Sequence, residues 1–174
     1  MDEKLIKALQ EPFSIKVIKF KPQALSKDKQ SALLVTFIDA RDVAQRLDDT
    51  VGMCNWSFKI EPVPTPSIPT IIGTLSIKIG GEWVSKSDIG EGVAGQEGNF
   101  YKAAASDALK RCAVHFGLFR YAYDLKFPWS KNVAPAGTTK ADYKRPPLPY
   151  KALPESDKYC EGCAAQIPEV LKDK

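Results

Sequence analysis

Histidine is almost missing from this 174-residue chain: His115 stands alone. A triad or a two-histidine metal site built on histidine is therefore excluded. Long apolar runs are missing too. None reaches the roughly 18–20 residues that a membrane-spanning helix needs. Met1 to Gln10 mixes both charge signs and lacks the apolar stretch and small-residue cleavage site of a secretory signal. These absences lead us to expect a cytoplasmic protein with no membrane partner. The glycines between Gly90 and Gly98 are not followed by the Lys-Ser/Thr of a phosphate loop, so ATP binding is unsupported.

Cysteine is sparse. Cys54 and Cys112 show no ligand spacing, and a disulfide framework is not expected in a cytosolic chain. Cys160-Glu161-Gly162-Cys163 is half of a zinc ribbon, and tetrahedral zinc takes four ligands. Cys160 and Cys163 are weak metal candidates at most. Two reduced thiols on a flexible tail is the preferred reading, and no cofactor is expected. Asp39, Asp42, Asp48 and Asp49 are close enough in sequence to suggest a nuclease metal cluster. However, Asp39 reads as a helix N-cap and no Glu-x-Lys phrase follows, so a non-enzymatic protein is expected.

The composition, 44% hydrophobic and 26% charged, is that of an ordinary globular domain. Net charge is only +4, but its distribution is uneven. Phe100 to Lys151 holds ten Lys or Arg against three Asp. Lys16, Lys19, Lys21, Lys27 and Lys29 form a second basic stretch around Asp28. Acids collect around Asp39–Asp49, Glu82–Glu97 and the last twenty residues. Segregated charge favours a polyanionic partner; the plainer alternative is solvated surface.

The apolar periodicity gives an element order. Asp2 to Leu9 reads as a short amphipathic helix. Phe13 to Phe20 reads as a short strand or extended arm, and Lys21 to Lys29 as a polar loop. Ala32 to Ile38 is β-branched and apolar, so a buried strand is expected there. Asp39 then caps a helix over Ala40 to Leu47. Trp56 to Val63, Thr70 to Ile79 and Glu82 to Ile89 alternate as strands, the last two joined by Gly80-Gly81, a hairpin signal. Asn99 to Phe116 is the longest helical pattern. At 100° per residue, Tyr101, Ala105, Ala108, Leu109, Cys112 and Phe116 share an arc of about 100°, which is the expected core face. Lys102, Ser106, Lys110 and Arg111 point away from it. Trp56, Trp83 and Tyr101 are expected in the core rather than stacked on bases. His115 is expected to cap carbonyls at the helix end. Ser130 to Lys158 is rich in Pro, Lys, Thr and Ala and reads as a basic, mostly disordered linker.

The expected fold is α+β: an antiparallel β-meander (a β-β-β-α core) packed on one long helix. Residues 1–129 form the expected domain, and 130–174 a basic linker and tail.

The phrase from Lys102 to Gly117 is the informative one: an Ala-rich stretch, then Asp107-Ala108-Leu109-Lys110-Arg111, then Phe116-Gly117. With Ala40-Arg41-Asp42-Val43, Asn55-Trp56, Asp88-Ile89-Gly90, Arg120-Tyr121 and Tyr123-Asp124-Leu125, it resembles the Rad-fifty-two/Rad-twenty-two family of single-strand annealing proteins. Within that family it is most similar to the bacterial DdrA (DNA damage response A) branch. The resemblance covers roughly residues 10–130. It implies a homo-oligomeric ring of about ten or eleven subunits. Single-stranded DNA would lie in an outer groove with phosphates inward and bases outward. Function by resemblance is ATP-independent binding and annealing in recombinational repair, at the nucleoid. The alternative is a protective binder of single strands or 3′ ends. Lys110 and Arg111 match the family's phosphate-contacting pair, Arg41 an arginine of the same groove, and Lys102 a lysine of the same helix. The family often carries another basic residue three positions after the arginine, where this chain has Val114. The tail leaves room for a recombination partner protein. Without the resemblance, Lys110-Arg111 would read as a solvated helix face.

Overall fold

The computed structural model describes residues 3–65, 68–92, 100–133, 143–146, 148 and 152–154. Among the described residues, three helices and two three-stranded antiparallel sheets make an α+β fold. In chain order the elements are α1 (Glu3–Gln10), β1 (Lys19–Leu25), β2 (Ser31–Phe37), α2 (Ala40–Val51), β3 (Trp56–Val63), β4 (Thr70–Ile79), β5 (Glu82–Glu91), α3 (Phe100–His115) and β6 (Ser130–Lys131). A 3-10 turn, Arg120–Asp124, follows α3. The described chain forms two compact units. One contains Met1–Glu11 with Asp39–Arg120; the other contains Pro12–Ile38 with Tyr121–Lys174.

The first unit is built on the meander β3-β4-β5. Gly80 and Gly81 both have positive φ, 62° and 92°, which a two-residue hairpin turn of type I′ requires. Alternation divides the sheet into two faces. Ile71, Leu75 and Ile77 are buried on one. Register places Thr74 opposite Ser87 and Ser76 opposite Ser85 on the other, with hydroxyl contacts of 2.9 and 2.8 Å. α3 crosses the apolar face. It comes unusually close because Gly73 and Gly90 present no side chain there. A Cβ on Gly90 would lie 2.6 Å from Ala108 N and would overlap the Ala104 carbonyl oxygen. A Cβ on Gly73 would lie 2.7 Å from Ala108 Cβ.

This close approach corrects the expected helix face. Ala104, Ala108, Leu109, Cys112 and Ala113 are buried, whereas Tyr101 is 60% exposed. Only small residues fit over the two glycines, so the stripe Ala104-Ala108-Cys112 docks, and the bulky Tyr101 is turned outward. Cys112 Sγ reaches the Gly73 carbonyl at 3.2 Å, and burial pushes its thiol pKa up. Trp83, expected in the core, is likewise 52% exposed because it lies on the polar face of the sheet. Trp56 is half-buried, and its indole N–H donates to Asp48 Oδ1 at 2.7 Å.

α2 begins at Asp39, as its capping residues suggest: the Asp39 N–H donates to Asp42 Oδ2 at 2.9 Å. α1 is tied to α2 by Arg46, whose Nη1 donates to the Glu11 carbonyl at 2.7 Å and the Ala8 carbonyl at 3.3 Å. These are the unpaired carbonyls of a helix C-terminus.

The second unit contains the sheet β1-β2-β6. Two expectations change here. The Lys21–Lys29 segment is not all loop: Lys19–Leu25 is a strand paired with β2, and the turn is confined to its end. Its lysines, glutamine and proline conceal the strand pattern. Pro22 is tolerated because β1 is an edge strand and its register shifts between Pro22 and Ala24. Parts of the 130–158 segment are packed rather than loose. Ser130 and Lys131 pair with β2, and Tyr143, Leu148, Ala152 and Leu153 are buried. Tyr143 joins a core cluster with Ala32, Leu34 and Phe20, and Phe20 meets Phe127 edge to face at 5.5 Å.

Candidate nucleic-acid interface

All four cations singled out from the sequence belong to the first unit. Arg41 is exposed in the first turn of α2, which packs beside α3. Lys102 is exposed in the first turn of α3. Lys110 is half-buried and Arg111 exposed near the other end of that helix. An α-helix places Lys102 and Lys110 about 80° apart around the axis and roughly 12 Å apart along it, with Arg111 a further 100° round. Lys102 and Lys110 therefore share a side, away from the docked stripe. Arg111 turns toward β5.

There Arg111 meets Asp88. Its Nε donates to Asp88 Oδ1 at 3.0 Å, and His115 Nε2 lies 3.0 Å from Asp88 Oδ2. Arg111 and His115 are one helical turn apart, and their side chains are 50% and 48% exposed, against 20% for Asp88. Partial burial raises the Asp88 pKa. Hydrogen bonds from the Ile89 N–H, Arg111 and His115, with the charge of Arg111, outweigh that, and the carboxyl is held below its ordinary value. The arginine is thus held by an ionised oxygen acceptor at its Nε, and half of its side chain is exposed. Sequence reasoning missed Asp88 and assigned His115 to the wrong partner. The helix-end carbonyls are capped by Arg120: Nε and Nη2 donate to the Val114 oxygen at 2.9 and 2.7 Å, and Nη2 to the His115 oxygen at 2.9 Å. The phrase Asp88-Ile89-Gly90 was the available signal, but only the sheet-helix contact shows which cation it serves.

The aspartates considered for a metal have local partners. Asp42 accepts from the Asp39 N–H, Asp48 from Trp56, and Asp49 from Gln45 Nε2 at 2.9 Å. Among the described residues no group of three or more His, Cys, Asp or Glu is placed to hold a metal ion. Cys160 and Cys163 lie outside the described residues. A groove of about 570 Å³ between α1, α2 and β4 mixes Lys4, Arg46 and Lys78 with Glu11 and Asp49. That balance of signs does not suit a polyanion. No helix among the described residues is long and apolar enough to cross a membrane.

Comparison with known proteins adds a family. The model of the Rad52/22 family of double-strand break repair proteins matches residues 2–140. Two relatives are named single-stranded DNA-binding protein DdrA. The one from Deinococcus deserti is 45% identical over 149 residues, covering 86% of this chain and 67% of the relative. The one from Deinococcus radiodurans is 45% identical over 124 residues, covering 71% and 57%. The matched part thus spans between about three fifths and two thirds of these relatives.

Proposed function

Because the chain belongs to the Rad52/22 family of double-strand break repair proteins, we propose that it binds single-stranded DNA and anneals complementary strands without ATP. Arg41, Lys102, Lys110 and Arg111 hold the phosphate backbone. Such contacts ignore sequence and weaken with salt, and they leave base edges free to pair. The observation that carries this reading is the α3 surface. Its core side is sealed by small residues over Gly73 and Gly90, so its cations are forced outward. One of them, Arg111, is already bound to an anionic oxygen at 3.0 Å. A homo-oligomeric ring of about ten or eleven copies repeats the groove, so that weak contacts add along one strand. The proposed action is non-enzymatic.

A protective single-strand or 3′-end binder is the second reading. Val114, half-buried and apolar, stands where the family often has another cation, which weakens the groove. The relatives are named as single-stranded DNA-binding proteins.

The deciding assay is annealing of two complementary fluorescent oligonucleotides at moderate salt without ATP. Wild type is compared with Arg41→Ala and Lys110→Ala. Acceleration by wild type that the variants lose supports annealing through this groove. Tight binding without acceleration favours protection. Absence of binding would refute both.

A further inference from the structure

The second unit carries its own cationic surface, which the proposed groove does not use. In β2, Ala32 and Leu34 face the core cluster. Residues of the other parity, Ser31, Leu33, Val35 and Phe37, therefore face the opposite way. Register places Lys19 opposite Phe37, Lys21 opposite Val35, and Lys131 opposite Ser31. Opposed residues in an antiparallel ladder share a face. Beyond β6, Asn132 bridges Tyr143, and the Lys144 N–H donates to the Lys131 carbonyl at 3.0 Å. Lys144 is thereby set opposite Lys131. Lys19, Lys21, Lys131 and Lys144 all lie on one open sheet face, and all are exposed. Sequence separations of more than 100 residues are closed to bring them together.

Like charges set directly opposite one another in a sheet cost stability. Here Lys131 and Lys144 are such a pair, and among the described residues Lys21, Lys131 and Lys144 form no ion pair. The described part of this unit has nine cations: Lys16, Lys19, Lys21, Lys27, Lys29, Lys126, Lys131, Lys144 and Arg145. Against them stand Asp28 and Asp124, and the Asp28 carboxylate is engaged within its own turn, accepting from Ser26 Oγ at 2.6 Å and Gln30 N at 3.0 Å. Between the lysine rows lies a partly buried apolar strip, Leu33, Val35 and Phe37. The Lys21 ammonium sits 5.7 Å from the centre of the Phe37 ring. Cations beside a partly exposed aromatic and apolar strip suit unstacked bases with a phosphate backbone.

We propose that this open face of the β1-β2-β6 sheet is a second binding surface for single-stranded DNA, with Lys21, Lys131 and Lys144 on phosphates and the Leu33-Val35-Phe37 strip beneath the bases. The choice of DNA as the polyanion rests on the function proposed above; the surface itself uses none of the groove residues. An annealing protein with two such surfaces holds two strands at once.

The test is a salt titration of binding to a short oligo-dT and to a duplex of equal length, followed by fluorescence anisotropy on the full chain. The variants are Lys131→Gln/Lys144→Gln, Lys110→Ala/Arg111→Ala, their combination, and Lys4→Gln/Lys7→Gln as a control with the same charge change on α1. Lys131→Arg/Lys144→Arg tests for charge, and circular dichroism checks folding. Each lost phosphate contact lowers the salt slope by about 0.7 on a single strand, so Lys131→Gln/Lys144→Gln should lower it by about 1.4. The arginine variant and the α1 control should keep the wild-type slope, and the combination should be weaker than either pair. If Lys131→Gln/Lys144→Gln keeps wild-type slope and affinity, or loses no more than the α1 control, the surface is refuted. Loss confined to the duplex refutes the single-strand assignment. Wild-type binding by Lys110→Ala/Arg111→Ala, with loss in the sheet pair, would instead remove the groove and leave this surface standing.

Discussion

Gly90→Ala is the substitution that most directly tests how α3 is set on its sheet. The new methyl would lie 2.6 Å from Ala108 N and 2.7 Å from Ala108 Cβ, and would overlap the Ala104 carbonyl oxygen. Carbon contacts are comfortable at roughly 3.5–4.0 Å, so the helix would have to lift by about 1 Å. Two of these three atoms are backbone, and no rotamer change relieves them. Overpacking of this kind costs about 3 kcal/mol. Gly73→Ala meets side chains instead, Ala108 Cβ at 2.7 Å and the Phe58 ring at 2.8 Å. A ring can tilt, and alanine recovers some chain entropy in a strand, so the net cost there is about 1 kcal/mol. Urea denaturation of both variants gives the comparison. Adding Ala108→Gly sharpens it. That change costs about 1 kcal/mol by itself. It should couple favourably with Gly73→Ala by about 1 kcal/mol, because only the tiltable Phe58 ring is then left in the way, and should restore less in Gly90→Ala, where the contacts with Ala108 N and the Ala104 carbonyl oxygen remain. Equal stability of the two alanine variants, or full rescue of Gly90→Ala by Ala108→Gly, would refute the backbone-contact argument. Lifting α3 also draws Arg111 away from Asp88, so Gly90→Ala should bind single strands with a reduced salt slope.

Three further outcomes are expected. Arg120→Ala removes three hydrogen bonds to the last carbonyls of α3 and should cost about 1 kcal/mol; hydrogen exchange should show the loss confined to the end of the helix, and a uniform loss would contradict the capping role. The Asp88 carboxyl is held below its ordinary value, so its stabilisation is present above the unfolded pKa of about 3.9 and is lost as pH falls through the lower folded value. Asp88→Asn should therefore lower the melting temperature at pH 6, with the gap to wild type closing below about pH 4; a gap that stays constant with pH would exclude an ionised Asp88 as the source. Trp83→Ala, on the exposed sheet face, should change stability by less than about 0.5 kcal/mol, and a large loss in thermal melts would mean that this face is covered in the assembled protein.

Local chemistry made much of the first unit legible. Alternating apolar residues defined β3 and β4, Gly80-Gly81 defined the hairpin, and Asp39 marked the start of α2. These signals rest on interactions within a few residues, which the sequence carries directly. The cations of α3 were also legible as a polar face, because helical period alone separates Lys102 and Lys110 from Ala108 and Cys112. The family phrases gave them a role.

What the sequence could not carry was anything decided by a contact between distant segments. Period narrows the docked face of α3 only to an arc of a helix; Gly73 and Gly90, on two different strands, chose the small-residue stripe and turned Tyr101 outward. β1 was hidden because Phe20 is its one partly buried residue, and its lysines read as loop until β2 supplied the partner. Asp88 and His115 are 27 residues apart, and Arg120, not His115, reached the end of α3. Lys131 and Lys144 looked like loose tail until pairing with β2 and its neighbour set them on one face. The sequence by itself determined the helices and the strands of the meander, and which residues carry charge. Only the tertiary structure decided which charges meet, because that depends on chain closure over tens of residues and on how closely two backbones can approach.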